Sequence, residues 1–199
     1  AEAVKALLGH GAKIEARERR GQTALMWAAA EGHTAVVRAL IEAGADLQAK
    51  VESGLTPFFF AVREGHLEAV RALLTAGIDV NVMLPSASAA RSVSPLVLAV
   101  QNGHFDLALA LVDAGANPND VRTGFAPLHL IPWVRRPDNS DISDPAPPIG
   151  SGRTSSLQFV REMVKRGASV NARATEGAPR QPNTSSKVET PGATPFLFA

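Results

Sequence analysis

The chain has 199 residues, 45% of them hydrophobic, with no cysteine and a formal net charge of +1. That balance argues against a whole-surface attraction to nucleic acid or anionic lipid, and the lack of cysteine excludes a disulfide framework and any thiolate zinc site while fitting a cytosol and an oxidising compartment alike. No apolar run approaches the ~18 residues of a transmembrane helix and no signal-peptide pattern stands at residue 1, so a soluble chain is expected, with a cytoplasmic setting favoured over export. The first stretch, AVKALLGHGAKIEA, predicts a helix with Val4, Leu7 and Leu8 on its buried stripe, stopped near Gly11. Lys13 to Arg20, KIEARERR, then reads either as a solvated turn or as a basic fingertip aimed at an acidic partner.

Gly21 to Lys50 reads as one complete supersecondary unit. Gln22-Thr23-Ala24 opens a short helix whose apolar side is Leu25, Ala28 and Ala29, and Gly32-His33 breaks it. A second helix follows with Val36, Val37, Leu40 and Ile41 on one stripe, and Gly44 ends it. Two helices this short cannot bury their stripes against each other alone. Copies follow. A unit from Gly54 repeats the pattern at a shift of 33 residues, placing Thr56 on Thr23, Gly65-His66 on Gly32-His33 and Gly77 on Gly44. A third copy starts at Ser94 and carries Gly103-His104 and Gly115-Ala116; a fourth opens as APLHL at Ala126 and resumes as LQFVREMVKRGASVNA. The chain opens inside an earlier copy and stops inside a later one, TPFLFA at Thr194, as a segment of a longer protein would.

A 33-residue period with a TPLH-like start, a GH turn and an LL-x-x-GA end resembles the ankyrin repeat, APLHL at Ala126 and EGHLEAVRALLTAG from Glu64 being the nearest matches. The resemblance implies an all-α, ankyrin-type solenoid of stacked helix-turn-helix repeats with β-turn finger loops. It also implies one repeat domain over 1–199, with units at 1–20 (partial), 21–53, 54–91, 92–123, 124–176 (with an insert at 137–156) and 177–199 (partial). In such proteins a concave helix face and the fingers bind partner proteins. Here that face would carry Trp27, Ala30 and Glu31, then Phe60, Arg63 and Glu64, then Leu98, Gln101 and Asn102, each set at i, i+3, i+4. Trp27 and Phe60 either anchor a partner or pack between neighbouring repeats.

The later part departs from the pattern. Gly77 to Ser94 spans 17 residues against 12 from Gly44 to Thr56, so the finger containing MLPSASAARSV is longer, and long loops on a rigid scaffold are common sites of specificity. In the unit from Ala126, Pro132 removes an amide donor, so its first helix should kink or end early. Ala126 to Gly167 is 41 residues where other units have 21; the added RRPDNSDISDPAPPIGSGRTSS is too polar to fold alone. Trp133, beside Arg135 and Arg136, would pin that insert or anchor a partner. A second insertion over 174–193 reads as another extended finger, and its sequon Asn183-Thr184-Ser185 carries little weight without a secretory signal.

Little chemistry is encoded. His33, His66 and His104 recur in the GH turn, His129 is the TPLH-type histidine and His10 precedes a helix stop, so no metal or cofactor site is expected. Asp46, Asp79 and Asp113 recur near repeat ends and read as turn formers. No phosphate loop, GxSxG or HExxH occurs. The expected function is a non-catalytic scaffold that binds another protein through Arg19, Arg20, Gln22, Leu55, Val93, Arg122 and Phe125 on the fingers, and Trp27, Glu31, Phe60, Arg63, Gln101 and Trp133 on the helix face. Leu55, Val93 and Phe125 precede the start of a first helix and should be partly exposed. A targeting or regulatory segment of a larger enzyme or receptor, and an intramolecular spacer, are the alternatives. Open terminal units predict end-to-end self-association.

Overall fold

The computed structural model describes residues 1–84, 92–134, 152–175 and 192–195, and only the backbone of residues 132 and 133. The chain divides into two compact units, Ala1–Leu84 and Pro85–Ala199. Among the described residues the regular structure is helical, and the chain is an all-α repeat protein.

Unit 1 holds α1 (Glu2–Gly9), α2 (Ala24–Ala30), α3 (Thr34–Glu42), α4 (Pro57–Glu64) and α5 (Leu67–Thr75). Helices α2 and α3 form one antiparallel pair, and α4 and α5 the next. First helices pack on each other, as do second helices, with α1 against α3. Each first helix begins where the sequence supplies a start signal. Thr23 accepts the Met26 amide at 3.4 Å, and Met26 Sδ in return accepts the Thr23 amide at 3.4 Å, a capping box with a thioether in the usual carboxylate role. Thr56 starts α4 with Pro57 in the first turn, where a missing N–H costs nothing.

Each second helix ends in the same way. The residue after the glycine donates back five residues: Ala12 to Leu7, Ala45 to Leu40, Ile78 to Leu73, Ala116 to Leu111 and Ala168 to Met163, at 2.9–3.3 Å. This closure requires the intervening residue to turn left-handed, which is why glycine holds the position every time. The burial of Leu25, Ala28, Ala29, Val37 and Leu40, and of Phe58, Ala61 and Val62, follows the sequence stripes, while Val36 and Ile41 are half-buried.

Two expectations change, one in each unit. None of Val4, Leu7 and Leu8 is buried; Leu7 is 61% exposed although its repeat equivalent Leu40 is 1% exposed. Leu40 lies on α3, which packs on both α2 and α5, whereas α1 packs against α3. Asp113 is no turn former: it is the last residue of α7, and its carboxylate binds Arg166. Counted from the helix-ending glycines, the turn-forming position holds Asp46, Asp79, Asn117 and Ser169, each accepting the amide two residues on at 2.8–3.2 Å.

Unit 2 holds α6 (Pro95–Gln101), α7 (Phe105–Asp113), a 3-10 turn (Pro127–Leu130) running into α8 (Ile131–Val134), and α9 (Ser156–Lys165). Its core centres on Phe105 and Phe159, stacked with ring centroids 4.6 Å apart and both fully buried between α7 and α9. The disruption expected at Pro132 takes a definite form. Residue 132 has no amide to reach back one α-turn, so the preceding residues wind as a 3-10 turn and Pro132 falls in the first turn of the short α8.

The end of the first insert is ordered. Asp106 on α7 accepts the Arg153 amide at 3.2 Å and the Thr154 hydroxyl, holding Gly152 to Thr154 against α7, and Ser155 then caps α9 by accepting the Gln158 amide. Residues assigned to the insert up to 156 therefore include the start of a helix. The rest of that insert, the centre of the long finger at 85–91, Trp133's side chain, the sequon and most of the second insertion lie outside the described residues.

Candidate functional site

Each described finger begins with a turn after the helix-ending glycine and closes in a tight tip. At the first tip Glu18 donates its amide to Gln22 C=O at 3.0 Å and accepts the Gly21 amide at 2.9 Å. The second repeats this with Val51 bonded to Leu55 and Gly54 to Val51, and the tip in unit 2 pairs Gly124 with Val121. A type I turn followed by a left-handed glycine fits these bonds. The two central residues of the unit 1 tips, Arg19-Arg20 and Glu52-Ser53, are exposed, whereas at the unit 2 tip Arg122 is exposed and Thr123 is buried. Arg19, Arg20 and Arg122 are among the finger residues expected from the sequence; Glu52-Ser53 is not, although a glycine directly before each Gln-Thr, Leu-Thr or Phe-Ala start marks all three tips.

In unit 1 the expected residues separate into a surface set and a packed set. Arg19 and Arg20 are exposed at the first tip. Arg17, by contrast, is spent on structure, donating from Nη1 to Gly21 C=O (2.9 Å) and to Lys50 C=O (3.0 Å) and so tying the first finger to the second. Glu15 adds a second tie by accepting the Asp46 amide at 2.8 Å. Gln22 is half-buried; its amide donates to Glu18, while its side-chain Oε1 is buried and has no hydrogen-bond partner among the described residues. Trp27 is 46% exposed, with Glu31 exposed one turn on.

Phe60 does not share that surface. It is 4% exposed and packed against Met26 and Ala49, with Ala30, Val51 and Leu55 around them. Leu55 is accordingly half-buried with its inner side in this cluster. Arg63 covers the ring, its guanidinium 5.0 Å from the centroid and paired with Glu64 at 2.8 Å. Of the two aromatic candidates, Trp27 belongs to the surface and Phe60 to the core. His66 shows what the GH histidine does: Nε2 bonds Ala30 C=O at 2.9 Å, tying the α4–α5 turn to the end of α2.

In unit 2, Gln101 and Val93 are half-buried. Phe125, expected to be partly exposed, is 6% exposed; the Thr123 hydroxyl donates to Phe125 C=O at 2.8 Å and Thr175 reaches Gly124 C=O at 2.8 Å, folding the tip over it. Arg122 is clamped by Asp120, with guanidinium to carboxylate distances of 2.7–3.0 Å. Burial pushes the Asp120 carboxyl up, but the hydrogen bonds from the Arg122 side chain and amide outweigh it and hold Asp120 below its ordinary value. His129 accepts the Ala126 amide on Nδ1 at 3.1 Å, which leaves the ring proton on Nε2 facing Ala193 C=O at 3.1 Å. Ala174 and Ala193 are paired at 2.9 Å, so both ends of the second insertion are held together at the unit.

No three of His, Asp or Glu converge as a metal site among the described residues, and no helix there is long and apolar enough to cross a membrane. A family model described as ankyrin repeats (3 copies) matches residues 1–83, and one described as ankyrin repeat matches residues 93–123. Together they span more than half of the chain. The chain belongs to the ankyrin repeat family. No match to a curated protein was found. Ankyrin repeats are generally protein–protein interaction modules and typically non-catalytic. The matched ankyrin stretches end at residue 123, just before the 3-10 turn and the insert that distinguish the following unit.

Proposed function

We propose that this chain is a non-catalytic scaffold that binds a partner protein through its finger loops and its first-helix face, the face that is concave in the family. The observation that carries the reading is Trp27, 46% exposed on a helix whose neighbouring Leu25, Met26, Ala28 and Ala29 are all buried. A large, stiff aromatic side chain held on a rigid element loses little entropy on binding and suits an interface anchor. In unit 1, Arg19, Arg20, Glu31 and Arg63 supply polar contacts around this anchor and Phe60 supports the face from beneath; in unit 2 the same proposal takes Gln101, Arg122, Phe125 and Trp133. The same module serves equally as the targeting or regulatory segment of a larger enzyme or receptor.

The test is capture of partners from native lysate by the chain and by a variant with Arg19, Trp27, Arg63 and Gln101 changed to Ala. Circular dichroism of the variant should match the wild type, and a partner held by the wild type should be lost. Equal capture by a folded variant refutes the assignment, and no specific capture by either favours an intramolecular spacer. A second, separate property is favoured by the position of exposed apolar side chains: Leu7 on α1, and Leu157, Val164 and Val170 on and after α9, are 43–61% exposed. These support end-to-end association of copies. Light scattering should show mass rising with concentration and falling back on Leu7→Asp or Val164→Asp; a concentration-independent monomer refutes it.

A further inference from the structure

The charged side chains of the two neighbouring fingers in unit 1 divide unequally between work inside the fold and display. The acids are largely occupied. Glu15 accepts the Asp46 amide, Glu18 accepts the amides of Arg20 (2.7 Å) and Gln22 (3.2 Å), and Asp46 accepts the Gln48 amide (2.8 Å). Arg17 is the cation used structurally, bonded to two carbonyls. The side chains of Lys13, Arg19, Arg20 and Lys50 have no partner among the described residues, and Glu52 is the acid in the same position. Four cationic side chains without a partner among the described residues therefore stand against one such carboxylate on this pair of fingers, while Glu15, Glu18 and Asp46 keep their charge but are tied into the fold.

The geometry concentrates that excess. Arg19 and Arg20 are the two central residues of a tip closed by the Glu18–Gln22 and Gly21–Glu18 bonds, so their backbones are fixed side by side before any partner arrives. Arg17 beneath them donates to Gly21 C=O and Lys50 C=O, bracing the tip against the second finger. The comparable tips lack this property. The second carries Glu52-Ser53, and in unit 2 the Arg122 guanidinium is already neutralised by Asp120.

We propose that the Arg19–Arg20 tip is a docking point for an acidic protein segment that presents two neighbouring carboxylates, with an apolar residue of the same segment reaching Trp27. The inference rests on the partner-binding reading above and adds the partner's chemistry. Guanidinium groups bind carboxylates through paired N–H···O bonds, a geometry lysine does not reproduce. Glu52 on the adjacent tip disfavours a carboxylate there, so the acidic pair sits over the first finger and the segment runs in a fixed sense. The contact is exposed, so it sets recognition and association rate more than raw affinity and weakens with salt.

The test uses the full chain and fluorescently labelled dodecapeptides in which a Glu-Glu pair stands at varied spacing from a leucine, with Gln-Gln and Lys-Lys versions of each. The Glu-Glu set should bind at least about tenfold tighter than the Gln-Gln set, and NaCl should weaken it. Arg19→Gln/Arg20→Gln should remove the preference, and Arg19→Glu/Arg20→Glu should transfer it to the Lys-Lys set. Both pairs are surface substitutions, so circular dichroism should be unchanged. Equal binding of Glu-Glu and Gln-Gln peptides, or Glu-Glu binding that survives the charge reversal, overturns the proposal. The broader reading fails separately: it falls if the four-alanine variant retains its natural partner, whatever the peptides do. If the peptides fail while that variant loses its partner, the scaffold reading stands and the acidic segment does not.

Discussion

Gly32 and Gly44 both lie in the left-handed region, at φ +69° and +84°, but in different surroundings. A Cβ on Gly44 meets nothing within 4 Å, whereas one on Gly32 would sit 2.5 Å from His66 Nδ1 and 2.8 Å from two ring carbons. Gly44→Ala should therefore cost only the conformational term, about 1–2 kcal/mol. Gly32→Ala should cost that and also displace an imidazole whose Nε2 bonds Ala30 C=O at 2.9 Å across the repeat boundary, adding about 0.5–1.5 kcal/mol for the lost hydrogen bond. The total is about 2–3 kcal/mol, or a midpoint shift on the order of 1 M urea. Urea denaturation followed by circular dichroism measures each variant, and His66→Ala in both backgrounds completes the cycle. In the His66→Ala background, Gly32→Ala should fall to the cost of Gly44→Ala. Strict additivity of Gly32→Ala with His66→Ala would refute the imidazole contact as the cause, and a Gly32→Ala cost no larger than that of Gly44→Ala would refute the structural argument altogether.

The two aromatic candidates of the first-helix face should separate by stability. Phe60→Ala should cost about 3–5 kcal/mol, while Trp27→Ala should stay within about 0.5 kcal/mol, both read from denaturation midpoints. In unit 2, Phe159→Ala empties one half of the Phe105 stack and should also cost about 3–5 kcal/mol, seen as earlier loss of α9 protection in hydrogen exchange. The ion network on α9 gives a pH prediction. Hydrogen bonds from Arg166 hold the Asp113 carboxyl below its ordinary value, and those from Lys165 and Arg166 do the same for Glu162. A carboxyl lowered in the folded state contributes stability that is complete above its unfolded pKa and is lost as pH falls through its folded one. Arg166→Met should thus lower stability evenly from neutral pH to about pH 5, by roughly 0.2–1 kcal/mol for the exposed Arg166–Asp113 pair. The difference from wild type should shrink below about pH 4; a difference that grows on acidification contradicts the assignment.

What could be read from the chain, and what could not, follows from how a repeat stores information. Features fixed by the period were legible, because the same physical requirement recurs at the same offset: the left-handed glycine after each second helix, the Thr or Ser start, the buried stripe of α2 and α4. Features fixed by a neighbour were not. Leu7 has the residue type and register of Leu40, yet burial depends on the neighbouring helices: α3 packs on both α2 and α5, whereas α1 packs against α3. Phe60 and Trp27 occupy equivalent positions, and only the cluster of Met26, Ala49 and Leu55 around Phe60 decides that one is core and the other surface. Phe125 was placed by analogy with Leu55 and Val93, but Thr123 and Thr175 close the tip over it. Asp113 matched the spacing of Asp46 and Asp79 only loosely; counted from the glycine, the turn position is Asn117, and Asp113 is free to pair with Arg166.

The same logic identifies where specificity can reside. A residue demanded by the period cannot vary without harming the stack, so recognition must fall on positions the period leaves open. The hairpin tips are such positions: the bonds that close the unit 1 tips run between backbone groups, so the closure does not specify the two side chains between Glu18 and Gly21 or between Val51 and Gly54. In the three described tips those places hold Arg-Arg, Glu-Ser and Arg-Thr, three different chemistries on one backbone. Only the first pair is both charged alike and uncommitted to the fold. A scaffold that keeps its geometry constant while changing these pairs can alter its partner without altering its stability, and the Arg19→Glu/Arg20→Glu exchange measures that separation directly: binding preference should invert while the denaturation midpoint stays within about 0.5 kcal/mol of the wild type.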